Sequence, residues 1–161
     1  YTYNEPVVGF EFVRDCARLA HATGLVNVLV SNGMICEEPL DELAPLIDAA
    51  NIDLKGFSQD FYNLVGGENQ TVRRTIEKLA RLSSCHLEVT TLVIPGLNDD
   101  IGSISEASRW LASLDPGIVY HLTRFFPQHR MVDRQATPLN TLRAAAEAAR
   151  VHLDDVLLGN C

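Results

Sequence analysis

The apolar runs of this sequence are no longer than a β-strand. A membrane-spanning helix needs about 20 consecutive apolar residues, so the sequence contains no such span. Clusters of basic residues are also missing. Thirteen Lys and Arg face 21 Asp and Glu for a net charge of -8, which argues against the electrostatic footprint of a nucleic-acid binder. Cys16, Cys36, Cys85 and Cys161 lie far apart, with no C-x-x-C and no Cys/His chelate spacing. That removes zinc ribbons, dithiol redox motifs and disulfide scaffolds. Four reduced thiols, acting as small buried hydrophobes, fit a cytoplasmic setting. No repeat, linker or low-complexity stretch interrupts the chain. With 47% hydrophobic and 21% charged residues over 161 positions, the chain is expected to fold as one globular domain.

What is present is alternation. “YTYNE” reads as a strand stopped by Pro6, followed by a helix from about Val8 to Thr23 whose apolar face carries Phe12, Cys16 and Leu19. “LVNVLVSNG” is a second strand, and Pro39 opens a short helix through Leu43 and Ile47. “ANIDLKGF” is a third strand; Ser58 caps a helix through Phe61 and Leu64 that Gly66 and Gly67 close. Val72, Ile76, Leu79 and Ala80 stripe the next helix. “HLEVTTLVIPG” is a fourth strand, and Ser103 with Glu106 has the capping-box spacing for the helix carrying Trp110. “VYHLTRFF” is a fifth strand, Thr137 and Pro138 start an Ala-rich helix to about Leu153, and “VLLGN” is a sixth strand.

Strand–helix alternation of this length means right-handed βαβ units and a parallel sheet. Glu88 and Thr90 share one side of their strand, as do Asp53 and Lys55, so one face of the sheet is partly polar. A doubly wound sheet is apolar on both faces; a sheet curled into a barrel around a wet cavity tolerates polar residues on its inner face. Polar residues and turn formers also gather where the strands end, at Asn4, Glu5, Ser31, Asn32, Asp53, Lys55, Pro95, Asn98, Arg124 and Asn160, the rim that carries function in parallel α/β folds.

The motifs “YTYNEP”, “SNG”, “DLKGFSQDFY”, “EVTTLVIPGLND”, “RFFPQHRM”, the “TP” before the last helix and “LLGN” fall in one order. That order resembles the radical S-adenosylmethionine (SAM) enzymes, in particular the AmmeMemoRadiSam group related to pyruvate formate-lyase activating enzymes. The resemblance runs from Tyr1 to Asn160. It implies a partial (β/α)6 barrel of parallel strands with outer helices, in which “TYNEP” ends the second strand. The first strand and the CxxxCxxC loop that holds a 4Fe–4S cluster are then expected before Tyr1, so that the chain is the C-terminal part of a core domain, truncated at both ends and inactive as it stands.

The same resemblance implies two cofactors, SAM and a 4Fe–4S cluster whose ligands are not in this chain. It places Tyr3, Asn4 and Glu5 at the SAM ammonium, and Lys55 with Asp53 at its carboxylate. Ser31 and Asn32 fall at the ribose or amino-acid arm, and Val93, Ile94 and Pro95 against adenine. The activity implied is reductive cleavage of SAM to a 5′-deoxyadenosyl radical that abstracts hydrogen, as in the activation of glycyl-radical enzymes. The partners implied are an electron donor and a protein or peptide substrate, with no nucleic acid and no membrane. Phe126 departs from the pattern, standing where many relatives have a histidine; His121 reads as a core histidine, His129 as a loop histidine, and Cys161 has no assigned role. Two rival readings remain from the residues alone. One is a Schiff-base aldolase using Lys55 as nucleophile. The other is a non-catalytic α/β binding module.

Overall fold

A computed structural model describes residues 1–161. Five parallel strands, β1 (Val28–Ser31), β2 (Ala49–Asp53), β3 (His86–Val93), β4 (Val119–Arg124) and β5 (Val156–Gly159), stand side by side in chain order. The connections carry the helices α2 (Glu37–Leu43), α3 (Gln59–Val65), α4 (Asn69–Ala80), α5 (Ile101–Leu114) and α6 (Leu139–Ala149), while α1 (Phe10–Ala22) precedes β1. Because each crossover steps to the next strand in the same direction, right-handedness puts every helix on the same face. This is the winding of a barrel wall. No helix is long and apolar enough to cross a membrane.

Burial follows that winding residue by residue. Ala50 and Ile52 on β2, Leu87, Val89, Thr91 and Val93 on β3, and Tyr120 and Leu122 on β4 are buried under the helices. Their alternates, Asn51, Asp53, Glu88, Thr90, Leu92, His121 and Thr123, are only half-buried on the other face. The register aligns them, with Asn51 beside Glu88, Asp53 beside Thr90 and Thr90 beside His121. The polar face read from the sequence is therefore one continuous, helix-free wall.

Three local expectations are corrected. “YTYNE” is not a strand. Only Tyr1 pairs with β1, its amino group donating to the Val28 carbonyl (2.5 Å) and its carbonyl accepting from Val30 N–H (2.8 Å). Tyr3 (φ 76°) and Asn4 (φ 55°) then turn the chain left-handed, and Glu5 caps a 3₁₀ turn, Pro6–Gly9. The sheet thus has five strands, with β1 at one edge. On α1 the residues turned inward are Val13 and Ala17; of the apolar stripe read from the sequence, Cys16 is half-buried while Phe12 and Leu19 are 73% and 70% exposed. The cap of α5 is Asp100, which accepts from Ser103 N–H (2.8 Å), rather than a Ser103–Glu106 box. Asp at the N-cap satisfies an otherwise orphaned donor directly. The Ser58 cap and the left-handed Gly66 terminus of α3 are as read.

Leu122 is fully buried between sheet and helices. Truncation to Ala leaves a cavity the rigid wall cannot close, so Leu122→Ala is expected to lower unfolding free energy by about 3 kcal/mol; a urea melt whose midpoint does not move would show the site to be loosely packed.

Candidate functional site

The carboxyl ends of β1 and β2 form a cleft of about 210 Å³ lined by Thr2, Asn4, Glu5, Val30, Ser31, Asn32, Asp53 and Lys55. Glu5 closes one side. Its Oε1 accepts from Ser31 Oγ (2.7 Å) and Val7 N–H (3.3 Å), and its Oε2 accepts from Asn32 N–H (2.7 Å). This double hold on the end of β1 is why the chain abandons the sheet edge at Tyr3. Ser31 Oγ also accepts from Gly33 N–H (3.1 Å). Gly33 itself is left-handed (φ 72°), and a Cβ there would meet Ile52 Cγ2 at 2.9 Å, so only glycine lets the β1 exit lie this close to β2.

Lys55 closes the other side and is fixed at three points. Its Nζ pairs with Asp53 Oδ2 at 2.5 Å. Its N–H donates to the Tyr62 hydroxyl (3.1 Å), and its carbonyl accepts from Asn98 Nδ2 (2.7 Å). Burial pushes the Tyr62 phenol up to about 12, so it serves as a neutral anchor. Asn98 additionally donates to the Leu92 carbonyl (2.9 Å) and accepts from Ile94 N–H (2.6 Å). One side chain thus ties the exit of β2 to that of β3. In the sequence Asn98 stood out only as one rim residue among many; its supporting role depends on contacts 43 residues apart.

The cleft therefore gathers Asn4, Glu5, Ser31, Asn32, Asp53 and Lys55. Tyr3 is 86% exposed at its border. The apolar group is placed differently. Val93 is fully buried beneath the helices, Ile94 packs with Phe61 and Phe125, and only Pro95 is half-buried. Side chains alternate along β3, so the apolar residue its end offers to the open face is Leu92, which the sequence reading missed.

Further down the open wall a polar network runs across three strands. Thr90 Oγ1 donates to Asn51 Oδ1 (2.7 Å), and Glu88 engages His121 Nε2 at 2.7 Å and His86 Nε2 at 3.2 Å. His121 is thus a wall residue facing a carboxylate, not a core histidine. The four cysteines do not converge, and no three His, Cys, Asp or Glu side chains are grouped so as to hold a metal ion. Partial burial pushes the Glu88 carboxyl up, but the hydrogen bonds from His121 and His86 outweigh it and leave it below the ordinary glutamate value. A carboxyl depressed by folding contributes stability above its unfolded value and loses it as pH falls through the folded one. Stability is expected to decline below the ordinary glutamate range, and Glu88→Gln to remove that component; acid melts of equal steepness in both proteins would contradict the assignment.

With this geometry in place, comparison with known proteins is informative. Residues 1–107 match the family model described as the Radical SAM superfamily. An uncharacterized protein of Methanocaldococcus jannaschii is 37% identical over 99% of this chain and 48% of its own length. The pyruvate formate-lyase 1-activating enzyme of Escherichia coli K12 is 33% identical over 60% of this chain and 40% of its own. The chain spans less than half the length of these relatives. Among solved structures, a domain of a pyruvate-formate lyase-activating enzyme from Bacteroides vulgatus superposes with a TM-score of 0.81 at 19% identity, covering 99% of this chain and 97% of that one. SuiB of Streptococcus suis bound to S-adenosylmethionine gives 0.70 at 10% identity, covering 92% and 36%. The parallel sheet, its one-sided helices and the matched motifs agree: this chain belongs to the radical SAM superfamily.

Proposed function

We propose that the cleft at the ends of β1 and β2 binds the methionine arm of SAM, and that the chain is the SAM-holding part of an enzyme of the glycyl-radical-activating type. One observation carries this reading. A carboxylate, Glu5, and an ammonium, Lys55, face the same small cleft, as a zwitterionic amino-acid tail requires. Both keep capacity for a ligand. Glu5 Oε2 has one protein donor, and a carboxylate oxygen can accept more. Lys55 Nζ gives one of its three protons to Asp53, which orients the others. Asn32 Oδ1 is taken by Met34 N–H (2.8 Å), which leaves its amide protons for the ligand's hydroxyls or carboxylate. Leu92, rather than Val93 or Ile94, offers an apolar surface to an adenine, with Pro95 at its edge.

Bound SAM and a reduced iron–sulfur cluster together supply homolysis of a sulfonium carbon–sulfur bond and a radical that takes a hydrogen atom. This chain's cysteines do not converge to hold such a cluster, and no step is assigned to them. The chain's own share is to neutralise both ends of the amino-acid tail and to fix its direction along the rim. A Schiff-base role for Lys55 finds no support in a side chain ion-paired at 2.5 Å to Asp53.

Charge-assisted hydrogen bonds of this kind are worth roughly 1.5–3 kcal/mol, about 10- to 150-fold in affinity. In the full-length protein, Lys55→Ala is therefore expected to weaken SAM binding by at least tenfold, measured by equilibrium dialysis with labelled SAM, while the visible absorption of the iron–sulfur cluster stays as in the wild type. Unchanged SAM affinity would overturn the reading.

A further inference from the structure

A second recess lies at the far end of the same rim, over the exits of β4 and β5. It is lined by Arg124, Phe126, His129, Arg130 and Asn160, with Leu92, the residue offered to the adenine, at its border, and has a volume of about 650 Å³. Its electrostatics run against the rest of the molecule. The chain carries eight more acidic than basic residues, yet no carboxylate lines this recess. Neither Arg124 nor Arg130 takes part in an ion pair, although six Lys or Arg contacts to carboxylates form elsewhere.

The two arginines are differently held. Arg124 is anchored through Nε to the Thr137 carbonyl (2.8 Å), and its guanidinium lies 4.8 Å from the centre of the Phe126 ring. That leaves its terminal nitrogens as a fork of donors with a fixed plane. Arg130 makes no hydrogen bond within the protein and stands free on the loop after β4. The loop itself is pinned: Thr137 Oγ1 donates to the Val93 carbonyl (2.6 Å) and accepts from Phe125 N–H (3.0 Å), and Arg134 donates to the Pro95 carbonyl (2.9 Å). His129 (φ 52°) and Asn160 (φ 58°), both lining the recess, hold left-handed backbones, which cost energy and persist where surroundings impose them.

We infer that this recess is the subsite for an anionic group, a phosphate or a carboxylate, on the molecule from which hydrogen is abstracted. The inference rests on the reading of the first cleft as the SAM site. Neighbouring strands lie about 4.8 Å apart, so the exits of β2 and β4 are separated by roughly 10 Å. On that reading a ligand anchored by its amino-acid arm at Lys55, with its adenine at Leu92, runs along the rim toward the recess, and a substrate anchored at Arg124 and Arg130 has its reactive carbon between the two. Phe126 adds a flat apolar face beside the charges. A substrate with a phosphate or acidic group near the glycyl or other aliphatic carbon that loses hydrogen fits this lining; a cationic one does not.

The test uses the full-length protein and two probes, inorganic phosphate and N-acetylglutamate, titrated by calorimetry at low salt. Saturable binding of either supports the subsite, and the better probe tells a phosphorylated substrate from a carboxylate-bearing one, such as an acidic peptide. Arg130→Ala is expected to weaken the better probe by tenfold or more. Arg124→Lys, which keeps charge but loses the fork, is expected to weaken it less. Added salt is expected to weaken it further, because the site is open to solvent. Binding of neither probe, or equal binding in Arg130→Ala, overturns the inference. A parallel titration of SAM into Lys55→Ala separates the two claims: weakened SAM binding alongside absent anion binding removes the subsite and leaves the SAM reading standing.

Discussion

Every functional feature of this molecule depends on a sheet covered on one side only. Parallel strands cannot be joined by tight turns, so each needs a crossover. Handedness fixes which side that crossover takes. Here all the connections step the same way, and the helices accumulate on one face. The other face keeps a wall of half-buried side chains that needs no apolar partner to fold. Asn51, Glu88, Thr90 and His121 occupy that wall as a hydrogen-bonded set. A second helix layer would have to desolvate them at a cost their mutual bonds only partly offset.

The strand ends convert this architecture into a polar rim. At β1 the anchoring group is Glu5, which reaches back from outside the sheet to Ser31 and Asn32. At β2 it is the cluster of Tyr62, Asn98 and Asp53 around Lys55. At β1 the carboxylate is held by a neutral hydroxyl and a backbone N–H; at β2 the Lys55 backbone is held by Tyr62 and Asn98, and its ammonium is directed by the Asp53 carboxylate. Such preorganisation is what lets a few hydrogen bonds contribute fully to binding.

Charge is distributed unevenly along this rim. Anion and cation alternate within the first cleft, whereas the recess over β4 and β5 holds arginines alone. The left-handed residues sort the same way, Tyr3 and Asn4 beside the first and His129 and Asn160 in the second. A zwitterion and an anion are the complements of these two patterns. The second pattern is formed by the loop after β4, “RFFPQHRM”.

The amino-acid sequence by itself determined the alternation of strands and helices, the parallel sheet, the polar face and most of the first cleft. These rest on short-range periodicity and on residue types that turns and caps demand. The Ser58 cap, the Gly66 terminus and the Asp53–Lys55 pairing are all local within a few positions. Tertiary structure alone decided which apolar stripe of α1 turns inward, because Val13 and Phe12 are both apolar and only a placed neighbour tells them apart. It also decided that Tyr3 leaves the sheet, since the pull on Glu5 comes from residues 26 and 27 positions away. Leu92 in place of Val93, Asn98 as the tie between strand ends, and the arginines of the second recess, without ion-pair partners, were likewise hidden. Each depends on contacts or on absent partners across the fold, and a one-dimensional pattern carries no record of who stands opposite whom.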